Sequence, residues 1–340
     1  MTKASGEVTF IRTGPVSLAA SSAESGAAWR SRTAVFIGLF VLTWLVLYIA
    51  YVALPNVQTG STVIYLAKFD QLARHRMFAP EDRTRILMFG NSRVITSFYP
   101  SEFDPVFGQG VRSYNLGLPA DERFLPVLEA TLAAGNIPTH VILTLPWDTN
   151  TEPASPFALL RDDNRIVNWL LPFRSFPRDF VLFAYSNRLR FGEGMGHASG
   201  QVDLMIENRG WYFINSQSHF LNDQLPDDFS IPTDRPNQSN VRQLPERSLV
   251  RDQLMQLASQ HGFQILLVPS SYRVGAFAPT PAAEQDRDTV ISTSPLVRVI
   301  GPDYWTYPAR YFADPVHLNP SGRSVYTADL ARLLKKHQAF

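Results

Sequence analysis

The feature that most limits what this chain can fold into is Val35–Ala53, nineteen residues (VFIGLFVLTWLVLYIAYVA) without one charged side chain. At about 1.5 Å of rise per residue, a helix of this length matches the ~30 Å hydrocarbon core of a bilayer. Arg30 and Arg32 precede the run, and the next basic residue after it is Lys68. That asymmetry predicts a cytoplasmic N-terminus and an exported remainder. Trp44, Tyr48 and Tyr51 offer aromatic anchors for the interface. A cleaved signal peptide fits less well, because the run is long and Tyr51 would occupy the −3 position for cleavage after Ala53. A buried core helix is disfavoured by the same length. Residues 1–32 are therefore expected as a disordered cytoplasmic tail, 33–55 as a transmembrane anchor and 56–82 as a juxtamembrane linker or helix.

The exported part begins at about residue 83 and reads as α/β. Ile86–Phe89 is an apolar strand, Val111–Asn115 a second, and His140–Leu145 a third, closed by Pro146. Between the last two, Asp121–Ala134 has helical spacing and ends at Gly135. After residue 240 the rhythm returns, with a helix over Glu246–His261 and a strand over Phe263–Val268. A short strand at Leu296–Ile300 and a C-terminal helix over Pro320–Lys335 complete it. Strand alternating with helix predicts a parallel sheet covered by helices. Residues 151–240 break the pattern with many Pro, Asp, Asn, Phe and Arg residues, and are expected to form an insertion or cap over the strand ends. Within it a helix is expected around Phe180–Arg190. The glycine-rich run Gly192–Gly196 reads as a flexible loop, because the strand, helix and Lys-Ser/Thr of a phosphate loop are missing.

Composition excludes several chemistries. The chain has 340 residues, a net charge of +1 and no cysteine. Cysteine nucleophiles, disulfides and thiolate metal sites are thereby ruled out, and no metal-binding spacing such as H-E-x-x-H occurs. No cofactor is expected. The charge balance gives no reason to bind nucleic acid.

Two short segments about 220 residues apart carry the candidate chemistry: Phe89-Gly90-Asn91-Ser92-Arg93 and Asp314-Pro315-Val316-His317. A serine directly after a buried strand sits at the carboxyl edge of the sheet, where α/β folds bind ligands. Asp314 lies three residues before His317, within reach of its ring if the segment makes one turn. Together they supply a nucleophile, a base and a group to orient the base. Helix capping by Asn91-Ser92 and ordinary surface contacts for the second segment are the plain alternatives. Arg93, beside the serine, is suited to an anionic group.

With these motifs the chain resembles the SGNH (GDSL-like) hydrolase superfamily over roughly residues 83–149 and 244–336. Gly90-Asn91-Ser92 matches the first block, with Asn for the usual Asp. Asn115-Leu116-Gly117 is similar to the second block and Asp314-Pro315-Val316-His317 to the last. The resemblance implies a three-layer sandwich, Ser92 as nucleophile, and His317 and Asp314 as its partners. The amides of Ser92 and Gly117 would form the oxyanion hole, with Asn115 and Trp147 toward substrate. The third block departs: Pro146-Trp147-Asp148-Thr149-Asn150 lacks its asparagine at the expected place, which leaves Asn150 as a distant substitute. Anchored proteins of this kind resemble enzymes that move acetyl or other acyl groups on exopolysaccharide or envelope glycans. The implied partners are a polysaccharide acceptor and a membrane-bound O-acyltransferase or polysaccharide synthase complex. A degenerate member that binds glycan or scaffolds such a complex without catalysis is the alternative.

Overall fold

The computed structural model describes residues 19–54, 57, 63–65, 67–119, 124–144, 170–174, 176–187, 191–213, 218, 220–239, 249–278, 288–290 and 294–340. Helix α1 (Ala19–Ala53) contains the uncharged run. Its Arg32–Ala53 stretch is 22 residues long with a mean hydropathy of 2.4, and is long and apolar enough to cross a membrane. The helix starts at Ala19, inside the segment whose composition predicts a disordered tail, so that expectation is corrected for residues 19–32. In the segment expected as a juxtamembrane linker or helix, residues 63–65 are helical and a π-helix spans Ala67–Ala73.

Strand β1 (Thr84–Phe89) organises the rest. Its side chains alternate between two cores, as the period of two in a strand dictates. Leu87 and Phe89 join one cluster with Leu72, Val127, Leu128 and Leu254. Ile86 and Met88 join the other with Val94, Phe98, Tyr326 and Leu330. All four β1 residues are fully buried, which accounts for the continuous apolar run in the sequence.

Chain order continues with α2 (Ser92–Ser97), α3 (Pro100–Phe103), β2 (Val111–Asn115), α4 (Leu125–Ala133) and β3 (His140–Leu143). Then come α5 (Phe176–Asn187), α6 (Phe191–Glu207), β4 (Arg235–Ser239) and α7 (Leu249–His261). The remainder comprises β5 (Gln264–Leu267), β6 (Ser270–Arg273), β7 (Phe277–Ala278), β8 (Asp288–Val290), β9 (Val297–Ile300), β10 (Tyr304–Tyr307) and α8 (Pro320–Lys336). The main sheet has the order β2-β1-β3-β5-β9-β8. Its first five strands are parallel, and β8 runs antiparallel on the edge. Helices α4 and α7 pack with the Leu87 cluster, α2 and α8 with the Ile86 cluster. The parallel sheet covered by helices expected from the sequence is therefore present.

Two short pairs, β10–β6 and β4–β7, lie outside the main sheet and were not anticipated. Ser270–Arg273 and Tyr304–Tyr307 have too few apolar residues in a row to read as strands. The Gly192–Gly196 run, expected as a loop, is instead part of α6. Part of the 151–240 insertion closes the sheet's free edge: the Asn115 amide donates to the Arg209 carbonyl at 2.8 Å, beside β2.

Candidate functional site

Strands β2 and β3 flank β1, so the connections leaving β1 and β3 diverge to opposite sides of the sheet. Crevices at such a switch point are the usual ligand site of open α/β sheets. Ser92 is the first residue of α2, directly beyond the carboxyl end of β1. Asn91 is extended and its side chain accepts from the Arg93 amide at 3.0 Å, so Asn91 is the cap and Ser92 is not consumed as one. Gly90 is required by proximity. A Cβ there would lie 2.4 Å from Val94 Cγ2 and 2.6 Å from Thr144 Oγ1, on the residue just past β3.

The second segment is built as a tight turn. Phe312 and Leu318 pair in an antiparallel bridge, and the Ala313 amide donates to the His317 carbonyl at 2.9 Å. Inside that loop Asp314 Oδ1 accepts from the amides of Val316 and His317, both at 2.8 Å. This leaves Oδ2 for the imidazole: His317 Nδ1 lies 2.7 Å from it. A carboxylate only accepts, so Nδ1 carries the proton and Nε2 holds the lone pair. Burial pushes the Asp314 carboxyl up. The hydrogen bond and charge of His317 and the two amides outweigh it and hold Asp314 below the usual carboxylate range. Nε2 is buried and hydrogen-bonds to nothing among the described residues.

Helix α8 connects the two segments. Its cap, Asn319, accepts from the Gly322 amide at 2.9 Å and donates to the carbonyls of Asp223 and Arg310. A Cβ on Gly322 would stand 2.2 Å from the Tyr311 carbonyl oxygen, so only glycine lets α8 start this close to the His317 loop. Further along, Thr327 Oγ1 donates to Ser97 O at 3.0 Å and accepts from the Tyr99 amide at 3.1 Å. Tyr326 is fully buried and donates to Pro269 O at 2.8 Å. The end of α2 and the start of the His317 loop are thus tied to one helix. Arg93 and Asp314 come close enough to feel each other's charge. Ser92 and His317, by contrast, are not joined by a hydrogen bond, since Nε2 has no partner.

Arg93 borders a cavity of about 230 Å³ together with Asp234, Tyr272, Arg273, Pro315 and Val316. Its guanidinium lies 4.4 Å from the Tyr272 ring centroid. Burial pulls its pKa down, opposed by the attraction of Asp314. Arg93 Nε has no hydrogen-bond partner among the described residues. The neighbouring Arg273 is neutralised by Asp234, which takes two bonds of 2.5 Å from one guanidinium nitrogen. Two unpartnered donors therefore remain on this wall among the described residues, Arg93 Nε and Arg273 Nε, and only Arg273 has its charge offset by a bonded carboxylate.

The oxyanion side differs from expectation. Asn115, expected to face substrate, is fully buried. Its Nδ2 donates to the carbonyls of Val94, Ile95 and Phe98, clamping the end of α2 to β2. Its Oδ1 accepts from the Gly117 amide at 3.0 Å, the same amide expected to bind an oxyanion. Asn115 is corrected to a clamp: its polar atoms satisfy backbone groups that burial would otherwise leave orphaned. The sequence reading missed Lys68, which is also fully buried. Its Nζ donates to Gly117 O at 2.7 Å and Asn115 Oδ1 at 3.3 Å, and burial lowers its pKa well below the usual lysine range. Nothing short of the fold marks this lysine in the sequence. Trp147 and Asn150 lie outside the described residues, as does Asp148. Among the described residues no cluster of His, Cys, Asp or Glu is arranged to hold a metal. No family model, curated protein or solved structure matches the chain, so the site rests on its own geometry.

Proposed function

We propose that this is a membrane-anchored extracytoplasmic serine acyltransferase or esterase of SGNH type. It would act on acyl groups, acetyl foremost, of an exopolysaccharide or envelope glycan. In this reading α1 crosses the cytoplasmic membrane with its N-terminus inside and the α/β domain faces the periplasm. The observation that carries the proposal is the Asp314–His317 pair: Nδ1 is fixed at 2.7 Å, Nε2 is buried and unpaired, and Asp314 lies close enough to Arg93, next to Ser92, to feel its charge. A histidine held in that tautomer is a base waiting for a proton.

The steps balance as follows. Ser92 Oγ attacks the acyl carbonyl as its proton passes to His317 Nε2. The tetrahedral intermediate collapses to acyl-Ser92, and the departing alkoxide leaves with the proton from Nε2. A glycan hydroxyl, or water, then gives its proton to His317 and takes the acyl group, and as the Oγ–acyl bond breaks the proton passes from Nε2 to Ser92 Oγ, which restores both residues. Asp314 stabilises the imidazolium in both halves. Ser92→Ala in the full chain should abolish both fluorophosphonate labelling and acyl-protein formation from a small ester, read by intact mass. Labelling of that variant at the wild-type rate would refute the assignment. Discharge of the acyl-enzyme faster by an oligosaccharide than by water identifies transfer.

A non-catalytic glycan-binding or scaffolding role is the second reading, favoured by the Gly117 amide being engaged by Asn115 Oδ1. An oxyanion there must displace a bond that is already made, and loss of one such donor typically costs about 100- to 1000-fold in rate. Wild-type protein that never labels, under conditions where a serine esterase does, would decide for this role.

A further inference from the structure

Helix α5 has its apolar face outward. Phe176 and Asp179 are buried, whereas Val181, Leu182 and Tyr185 are 65%, 49% and 68% exposed. Arg178, Val181, Leu182 and Tyr185 fall at the i, i+3, i+4, i+7 spacing of one helical stripe. A helix on a water-facing surface has polar residues there. Just before α5, Leu170 and Leu171 are also exposed. Phe180 of α5 is exposed as well, and the other exposed large apolar side chains described outside α1, Val106, Leu204, Leu221, Val274 and Phe340, are far apart in the chain. Scattered exposure is ordinary, but a contiguous patch marks a contact surface.

What this patch contacts is set by its neighbour. The Trp44 indole donates to the Leu170 carbonyl at 2.6 Å, and its rings meet Phe173 edge-on at 5.6 Å. Tyr51 meets Phe176 edge-on at 6.2 Å. Trp44, Leu47 and Tyr51 on one face of α1, with Leu54 just past its end, pack with Val57, Phe173, Phe176 and Phe183. Trp44 lies nine residues before the end of the Arg32–Ala53 stretch, or about 13 Å along the axis. A leaflet's hydrocarbon half is about 15 Å thick. A segment bonded to Trp44 at that depth cannot stay in water if α1 spans.

We propose that residues 170–174 and helix α5 are seated in the outer leaflet of the membrane that α1 crosses, with Val181, Leu182 and Tyr185 against lipid. This rests on the anchor reading of α1 above. The patch is continuous with the bare lipid-facing surface of α1, none of whose span is buried. Arg178, with a side chain 67% exposed, stands at one end of the stripe, where a long cationic side chain can reach the headgroups. Tyr185, at the other end, is suited to the interface. The α/β domain is then attached at two places and does not swing on a single helix.

The chain has no cysteine, so single-cysteine variants label at one place. Val181→Cys and Leu182→Cys report on α5, Val46→Cys on α1, and Ser259→Cys on exposed α7. Each would be labelled with a nitrobenzoxadiazole dye in the full chain, reconstituted in phosphatidylcholine–phosphatidylglycerol vesicles. Expected is quenching at 181 and 182 by brominated lipid, as at 46, with iodide quenching at least about threefold weaker than at 259. A probe at 46 quenched by lipid while those at 181 and 182 respond only to iodide overturns the seat and leaves the anchor standing. A probe at 46 open to iodide overturns the anchor and the seat together. Probes at 181 shielded from both quenchers, with Val181→Cys forming a disulfide-linked dimer, overturn the lipid seat in favour of a second copy.

Discussion

The two halves of the candidate site are finished to different degrees. On the His317 side the pair is ordered but open: Asp314 holds the ring, two amides hold Asp314, and Nε2 is left without a bond to Ser92. On the oxyanion side the polar groups are spent on one another. The Gly117 amide bonds to Asn115, and Lys68 bonds to both Asn115 and the Gly117 carbonyl. The difference follows from where each half sits. His317 and Asp314 lie on a turn where their side chains are only partly exposed, and Nε2 itself is buried and unpaired. The Gly117 segment is wedged between β1, α2 and the π-helical turn, and there the polar groups satisfy one another. An unsatisfied buried group costs about 1–3 kcal/mol, so the first half carries a penalty that the second avoids.

The sharpest way to break this comparison is Asp314→Asn. The side-chain oxygen can still accept from the amides of Val316 and His317, while the new amide group faces Nδ1 and imposes the other tautomer. Acyl transfer, if Ser92 is the nucleophile, should fall by roughly 10³- to 10⁴-fold. Unchanged acyl-enzyme kinetics would show that the pair is only a turn.

Stability should respond more to the oxyanion half. Asn115→Ala strips Nδ2 from three carbonyls of α2 and leaves them in the core. A loss of about 2–3 kcal/mol is expected by denaturant titration. A variant as stable as wild type would mean that the clamp is not under load. On the base side Gly322→Ala is the matching probe. Its Cβ would meet the Tyr311 carbonyl, and shifting that backbone should cost about 1–3 kcal/mol. A thermal midpoint unmoved within 1–2 °C, where about 2–4 °C per kcal/mol is typical for a domain of this size, would overturn the close-approach argument.

How much of this was legible beforehand depends on the range of the interaction. Strands β1 and β3, with their apolar runs, were read to within two residues, because burial on both faces leaves a continuous apolar pattern. The Asp314–His317 contact was also legible, since three residues and a proline turn confine both partners to one loop. Strands β6 and β10 were not, because their pairing joins residues over 30 positions apart and rests on a few mixed side chains. Lys68 was beyond sequence reasoning for the same cause. A lysine is solvated by default, and what buries this one are segments some 47 to 49 residues later in the chain. Asn115 was found but given the wrong work: the motif located it, and only packing revealed that all its polar capacity points inward.

Lys68 gives the smallest effect and the finest test of the comparison. Burial lowers its pKa in the folded chain well below the value of about 10.4 that the unfolded chain shows. Between those two values the unfolded state binds more protons than the folded one, so stability rises with pH across that window. Below the folded pKa the penalty for burying the charge is constant. Above the unfolded pKa both states are neutral and the penalty is gone. Lys68→Met removes the titration but keeps a side chain of similar length. The stability of wild type relative to Lys68→Met should therefore improve as pH rises toward about 10, measured by urea unfolding at matched ionic strength. On the base side the sign reverses in the acid range. The lowered carboxyl of Asp314 contributes stability above its unfolded value of about 3.9. That contribution is lost as pH falls through the folded pKa, so Asp314→Asn should lose its disadvantage only there. A difference between wild type and Lys68→Met that stays flat from neutral to alkaline pH would mean the lysine keeps its charge through the bonds to Gly117 and Asn115. The oxyanion half would then hold a buried cation beside the very amide that an oxyanion needs, and its quiescence in this structure would be an electrostatic reserve, not a filled core.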